Sequence, residues 1–259
     1  MLELRNIYGG YGGKDILEDI SISFAKGSIT SVIGANGCGK STLLQMCCGL
    51  LKPSRGKVLI DGKDISEMKH TELAQKISYM EQVHNSGSIT VRALASHGRF
   101  PYLGYPRRFT AQDKKTVDEA LKAAGVSDIA DRKVSELSGG QRQRAYIAMT
   151  LAQDTDIVLL DEPSTYLDIS SQFELTDIVS AMKNRGKTVI TVLHDINMAL
   201  SNSDMTAVMK NGRLLGVMPP REAAESGLIR QALGVEAVLD EKTGQYLLFK
   251  GENHEKSYN

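Results

Sequence analysis

The spacing of apolar residues predicts two kinds of β-strand in this chain. Leu2 and Leu4 alternate with polar residues, and residues 20–24 repeat that alternation. A period of two is typical of antiparallel strands with one buried face. Residues 157–160 and 188–193 are apolar runs without alternation, as expected for parallel strands buried on both faces. We therefore expect an α/β protein with an antiparallel part and a parallel sheet.

The segment between these regions has helical spacing. Apolar residues recur there at Val117, Ala120, Leu121 and Ala124. Thr110 is placed to cap this helix and Gly125 to end it. A second helix is expected after residues 138–140, and residues 171–183 are also helical in sequence. Residues 83–152 are therefore predicted to form a mostly helical insert.

Turn signals bound these elements. Asp61-Gly62 follows a predicted strand at 57–60 and indicates a hairpin, as does Asn211-Gly212. Pro219-Pro220 indicates a break in regular structure, and the polar residues 251–259 are predicted to be disordered. Regular structure should therefore end near residue 250.

Charge and composition narrow the functional class. The chain of 259 residues has 31 basic and 31 acidic side chains, which argues against nucleic acid as a partner. No apolar run approaches the roughly 18 residues that a membrane-spanning helix needs. The N-terminus has no apolar signal segment, so we expect a soluble, cytosolic chain whose membrane role would depend on a partner. Three cysteines, two of them adjacent, do not form a disulfide framework.

Residues 34–42 match the phosphate-binding pattern G-x-x-x-x-G-K-[ST]. A β-rich run at 29–33 precedes them and helical sequence follows, which is the order such a loop requires. Lys40 is expected to reach the β- and γ-phosphates of ATP or GTP, and the Ser41 hydroxyl to hold Mg²⁺. The nucleotide would contact Gly34, Asn36, Gly37, Cys38, Gly39, Lys40, Ser41 and Thr42.

Cys38 lies inside this loop. A helix N-terminus lowers the pKa of a nearby thiol, so we expect Cys38 to be alkylated readily and to be protected by ATP. The alternative is that this loop position accepts any small residue.

Asp161 and Glu162 end the apolar run at 157–160. The carboxyl edge of a parallel sheet is where α/β proteins place their ligands. Asp161 is suited to hold Mg²⁺, and Glu162 to accept a proton from an attacking water. Because Pro163 follows, the pair could instead begin an ordinary turn.

Leu137-Ser138-Gly139-Gly140-Gln141 forms a second glycine-rich string before a helix. By itself it could be an ordinary helix cap. Together with the phosphate loop, it resembles the signature motif of ATP-binding cassette (ABC) ATPases, and the resemblance extends over residues 1–220.

The resemblance implies roles for further residues. Tyr11 would stack on the adenine, with Tyr8 as a rival. Gln82 would link the metal site to the helical insert, and His194 would contact the γ-phosphate. Residues 165–168 would form the loop that crosses a dimer interface. Without the resemblance, each of these residues could equally have a structural role.

The implied fold is a P-loop NTPase (RecA-like) core with an N-terminal antiparallel β-subdomain and a helical subdomain. The ABC ATPase domain would cover residues 1–220, with the core at about 1–82 and 153–212 and the helical subdomain at about 83–152. Residues 221–250 would form a short helix and hairpin extension.

The resemblance also implies a head-to-tail homodimer. Each ATP with its Mg²⁺ would lie between Lys40 of one copy and the signature of the other. The signature residues are Ser138, Gly139, Gly140 and Gln141. The implied catalytic residues are Lys40, Gln82, Glu162 and His194, and the implied metal ligands are Ser41, Gln82 and Asp161.

Three short segments narrow the resemblance to one group of ABC ATPases. Residues 98–102, 141–144 and 163–169 resemble the ATPases of bacterial iron-chelate uptake systems. Ala35, Cys38 and Ser164 depart mildly from the usual pattern. We therefore expect the ATP-hydrolysing subunit of an importer for ferric siderophores, haem or vitamin B12, at the cytoplasmic face of the cell membrane.

The expected partners are two transmembrane permease subunits and, indirectly, an extracytoplasmic substrate-binding protein. A soluble ABC ATPase, for example in iron–sulfur assembly, is the alternative. A small-molecule kinase is a third class, which the signature and Asp161-Glu162 argue against.

Overall fold

A parallel and an antiparallel sheet organise the computed structural model, which describes residues 1–81, 88–165 and 167–251. The strands are β1 (Leu2–Gly9), β2 (Leu17–Phe24), β3 (Ile29–Gly34), β4 (Arg55–Ile60), β5 (Lys63–Asp64), β6 (Ile77–Met80), β7 (Ile157–Asp161), β8 (Thr188–Val192), β9 (Met205–Lys210), β10 (Arg213–Met218), β11 (Val235–Asp240) and β12 (Gln245–Lys250). The helices are α1 (Lys40–Cys47), α2 (His70–Lys76), α3 (Val91–His97), α4 (Ala111–Ala123), α5 (Gly139–Gln153), α6 (Ile169–Asn184), α7 (Ile196–Ser201), α8 (Pro220–Glu225) and α9 (Leu228–Leu233).

The N-terminal strands form an antiparallel sheet in the order β2-β1-β4-β5. Its alternating apolar residues, such as Leu2, Leu4 and Ile20, are fully or almost fully buried. The alternation in the sequence therefore correctly predicted antiparallel strands with one buried face. The hairpin predicted at Asp61-Gly62 is confirmed, since these two residues join β4 to β5.

The second sheet has the order β10-β9-β3-β8-β7-β6, and its five strands from β9 to β6 run parallel. Ile157 and Leu159 of β7 pack toward the antiparallel sheet and α1. Val158 and Leu160 of the same strand pack on the opposite face, against the insert helices and α6. Burial on both faces explains why this strand shows no polar alternation. Asn211-Gly212 forms the predicted turn between β9 and β10.

Helices α3, α4 and α5 form the segment predicted to be helical. Thr110 caps α4 through a capping box with Asp113, and Gly125 follows the helix end with a left-handed φ of 64°. The helix expected after residues 138–140 is α5, which begins slightly earlier, at Gly139. The helix predicted at 171–183 is α6.

Side-chain hydrogen bonds fasten this helical segment to the parallel sheet. Gln153, at the end of α5, donates to the carbonyls of Ala74 and Ile77 at 2.7 and 3.1 Å. The start of β6 and the far end of α5 are therefore held together.

Within the helical segment, Arg99 is buried and pairs with Asp113 at 3.0 Å. A buried charge of this kind is tolerated because it is paired and hydrogen-bonded.

The C-terminal elements cover the β9 side of the sheet with a third apolar cluster. β10 ends at Met218 and α8 begins at Pro220, so the predicted break at Pro219-Pro220 separates a strand from a helix. β11 and β12 pair as an antiparallel hairpin. Within the described residues, no helix combines the length and apolar character needed to cross a bilayer. The predicted tail, apart from residue 251, and the insert boundary at 82–83 lie outside the described residues.

Candidate nucleotide-binding site

The carboxyl ends of three parallel strands meet at one edge of the sheet. Gly34 ends β3 and opens the phosphate loop, Asp161 ends β7, and His194 comes two residues after β8. This is the edge at which parallel α/β sheets place ligands. A cavity of about 400 Å³ lies here and is lined by Ile16, Asn36, Gly37, Gly39, Lys40, Ser41, Thr42, Glu162 and His194.

Glycine shapes the phosphate loop at two positions. A Cβ on Gly34 would lie 2.4 Å from the carbonyl oxygen of Met209, closer than real contacts allow. Gly39 caps α1 with a φ of 105°, a conformation that L side chains rarely adopt. Among the described residues no side chain caps this helix, so its first N–H groups stay available to a ligand. A helix N-terminus with free N–H groups favours an anion.

Lys40 is folded back onto the loop and is only 5% exposed. Its Nζ donates to the carbonyls of Gly34 and Ala35, at 2.8 and 3.0 Å. A buried ammonium needs such partners. The loop therefore holds a cation at the cavity in which anionic phosphates would bind.

Asp161 faces the start of α1 with both carboxylate oxygens occupied. Oδ1 accepts from the Ser41 hydroxyl at 3.1 Å, and Oδ2 accepts from the Tyr79 hydroxyl at 3.1 Å. Burial raises the pKa of Asp161, against the opposing effect of these two hydrogen bonds. A hydroxyl and a carboxylate are the hard oxygen donors that Mg²⁺ prefers, so this pair fits the ion. Gln82, the third predicted ligand, lies outside the described residues.

Glu162 and His194 lie side by side at the cavity. His194 Nε2 is 2.5 Å from Glu162 Oε1, and the Glu162 side chain is largely buried. Glu162 has a left-handed φ of 51°, and its N–H donates to the Val192 carbonyl at 3.1 Å. Such strained backbone persists only where the surroundings hold it, often at functional sites. Glu162 lines the same cavity as Lys40.

Tyr11 does not line this cavity within the described part of the chain. Its ring is half exposed, and its hydroxyl donates to Gln45 Oε1. Gln45 lies one helical turn beyond Ser41, so Tyr11 lies beside the phosphate-loop helix. Tyr8, the rival, belongs to β1, and the Arg55 guanidinium lies 5.5 Å from its ring centroid.

The signature segment lies elsewhere in the fold. Ser138 caps α5 in a capping box, in which Ser138 and Gln141 exchange two hydrogen bonds of 3.2 Å. Gly139 and Gly140 form the first positions of the helix. Within the described residues, none of positions 138–141 lines the phosphate-loop cavity. One copy of the chain therefore does not bring its two glycine-rich segments together.

The loop after Glu162 leads into α6. Asp168 caps this helix by accepting from the Ser171 N–H at 2.8 Å. Tyr166 lies outside the described residues.

Comparison with known proteins identifies the family in which this combination of segments occurs. A family model described as "ABC transporter" matches residues 17–165. The chain belongs to the ABC transporter family. It is therefore an ATPase, and ATP is the nucleotide that it binds.

The ABC family includes curated relatives that match nearly the whole chain. The petrobactin import ATP-binding protein YclP of Bacillus subtilis is 39% identical over 252 residues, covering 95% of this chain and 99% of the relative. The probable siderophore transport system ATP-binding protein YusV of the same organism is 40% identical, covering 87% of this chain and 83% of the relative.

A solved structure with the same fold is a dimeric bacterial ABC transporter cassette. It is 29% identical, with a TM-score of 0.76, and the match covers 85% of this chain and 99% of that chain.

The structure contradicts the lowered pKa that was predicted for the Cys38 thiol of this ABC ATPase. The side chain is only 4% exposed, and burial raises the pKa of its thiol. The nearby Lys40 charge lowers that pKa without reversing the rise. The loop turns the Sγ inward, toward Gly34 and the apolar cluster around α1. The rule for thiols at helix N-termini fails here because the thiol is not in contact with solvent.

Three polar residues at this ABC site were not recognised from the sequence. Tyr79 donates to Asp161, Gln45 accepts from the Tyr11 hydroxyl, and Gln143 of α5 donates to the Pro163 carbonyl at 3.0 Å. One signal was available, since Gln45 lies four residues after Ser41 and so shares its helix face. The other two contacts depend on tertiary register.

Proposed function

We propose that this ABC ATPase energises bacterial import of an iron chelate, most specifically a ferric siderophore. The support comes from relatives that are subunits of siderophore importers and match nearly the whole chain. They favour an importer over a soluble ABC ATPase. Haem and vitamin B12 belong to the same predicted class of cargo.

One observation carries the proposed chemistry: Lys40, Ser41, Glu162 and His194 line a single cavity. Lys40 would exchange its loop carbonyls for the β- and γ-phosphates of ATP. Ser41 and Asp161, with Gln82, would hold Mg²⁺, which neutralises charge on the phosphates when it is bound. The N–H groups at the start of α1 would face the phosphates, and Tyr11 would stack on the adenine.

Hydrolysis would proceed by in-line attack of water on the γ-phosphate. Glu162 would accept the proton of that water, since its carboxylate is fixed at the cavity. His194 would hold the γ-phosphate from the end of β8, beside Glu162. Positioning and electrostatics would supply most of the rate enhancement.

The second copy of the chain would complete the site. We assign residues 138–141 to the nucleotide bound by the partner, because within one chain they lie away from the phosphate-loop cavity. Two permease subunits would bind the dimer at the cytoplasmic face of the membrane, and a substrate-binding protein would deliver cargo to them.

The proposed domain division follows from the same assignment. Residues 1–220 would be the ABC ATPase domain, with the RecA-like core at about 1–82 and 153–212 and the helical subdomain at about 83–152. Residues 221–250 would be the extension.

Purification from detergent-solubilised membranes tests the importer proposal. A tagged chain should co-purify with a polytopic permease pair, and the reconstituted complex should take up a ferric siderophore only with ATP. Glu162→Gln in the same complex is the control for hydrolysis. Recovery with soluble scaffold proteins alone, and no ATP-dependent uptake, would contradict the proposal.

A further inference from the structure

We propose that Tyr79 is a positioning residue that fixes the Asp161 carboxylate for the metal. The proposal rests on the proposed function, because it assigns ATP and its divalent cation to this cavity. It concerns the Tyr79 side chain, which has no part in the chemistry proposed above.

The geometry at Asp161 carries the first step. The carboxylate is almost wholly buried, and its two oxygens have different partners, Ser41 for Oδ1 and Tyr79 for Oδ2. Ser41 and Asp161 would hold the metal, so their mutual hydrogen bond would be given up when the metal is bound. The Tyr79 hydroxyl would remain as the partner that holds the Asp161 carboxylate through Oδ2. A ligating carboxylate commonly needs such an outer partner.

The backbone explains why Tyr79 can reach this carboxylate. β6 and β7 are parallel neighbours, and Tyr79 is paired with Leu159, two residues before Asp161. Tyr79 thus projects from the edge strand toward the carboxyl end of β7.

If Tyr79 has this role, its hydroxyl should affect the affinity for the metal but not the affinity for the nucleotide alone. Loss of the Tyr79 hydroxyl leaves the phosphate loop intact, so nucleotide binding without metal should change little. The metal should bind more weakly, because Asp161 Oδ2 loses its partner. A hydrogen bond to a charged group stabilises by an amount that corresponds to about a tenfold change in affinity or more.

Tyr79→Phe tests the proposal with Mn²⁺ in place of Mg²⁺. Bound Mn²⁺ is measured by electron paramagnetic resonance with a non-hydrolysable ATP analogue, and analogue affinity is measured separately in EDTA. We expect about tenfold weaker Mn²⁺ binding and analogue affinity in EDTA within about twofold of wild type. Tyr246→Phe is the matched control, since it removes a buried tyrosine hydroxyl in the C-terminal hairpin.

Two results would overturn the positioning role: unchanged Mn²⁺ affinity in Tyr79→Phe, or an equal loss of analogue binding in EDTA. A wild-type chain that binds no nucleotide would instead contradict the proposed function.

Discussion

The phosphate loop and the signature segment both place glycines at the start of a helix, but for different reasons. In the phosphate loop, a Cβ on Gly34 would collide with the Met209 carbonyl, and Gly39 has a left-handed φ. In the signature segment, a Cβ on Gly140 would meet its nearest described neighbour, Leu167, at an ordinary 3.5 Å. Gly140 also lacks a left-handed φ.

The difference shows which glycines the fold of the chain itself requires. The fold of the chain itself requires glycine in the phosphate loop. The described part of the chain does not require it at Gly140, where Ser138 already caps the helix by its side chain. In the proposed dimer, glycine at position 140 would instead let a nucleotide held by a second copy approach the backbone closely.

The largest expected effect belongs to Glu162, on the phosphate-loop side. Glu162→Gln should lower ATP turnover by about 10³-fold, because the amide cannot accept the proton of the attacking water. ATP binding should persist, and ATP with Mg²⁺ should trap a dimer. Phosphate release and size-exclusion chromatography measure the two effects. Glu119→Gln on the exposed face of α4 is the control, and equal turnover in both variants would remove Glu162 from the proton transfer.

Gly140→Ala should lower turnover without lowering stability, which distinguishes the signature segment from the phosphate loop. We expect turnover to fall by about 100-fold, since a methyl group would keep the partner's nucleotide away from the signature N–H groups. The free energy of unfolding should stay within about 1 kcal/mol of wild type, because alanine suits a helix. Steady-state kinetics and urea denaturation test this. Normal turnover in a folded variant would show that nothing approaches Gly140 closely.

Gly34→Ala should have the opposite profile. The new methyl group must displace the Met209 carbonyl, which should lower the free energy of unfolding by about 2–3 kcal/mol. Urea denaturation without nucleotide measures this loss directly. A variant as stable as Gly140→Ala would remove the contrast between the two segments.

The smallest effect concerns Cys38. Because burial raises the pKa of this thiol, its thiolate fraction at pH 7.5 is lower than in an exposed cysteine, and it grows only as the pH rises past the ordinary value. Maleimide labelling, followed by peptide mass spectrometry, should be at least about tenfold slower than for a free thiol. ATP should alter the rate little. Rapid labelling that ATP prevents would show that the loop opens to solvent.

The sequence indicated those parts of the site that consecutive residues build. The phosphate loop, the carboxylates after β7 and the capped start of α5 are local, because strand ends and helix caps are set by short stretches of chain. The partners of Asp161 were missed because Tyr79 is 82 residues away and reaches it through sheet register. Cys38 was misjudged because its burial is a tertiary property.

The buried amide of Gln143 connects α5, the helix that begins at the signature segment, to the turn after Glu162. Its bond to the Pro163 carbonyl fastens α5 to the residue that follows Glu162. If ATP bound by the partner copy tilts α5, this hydrogen bond must either break or move Pro163 with the helix. The position of Glu162 in one copy would then depend on whether the other copy has bound ATP.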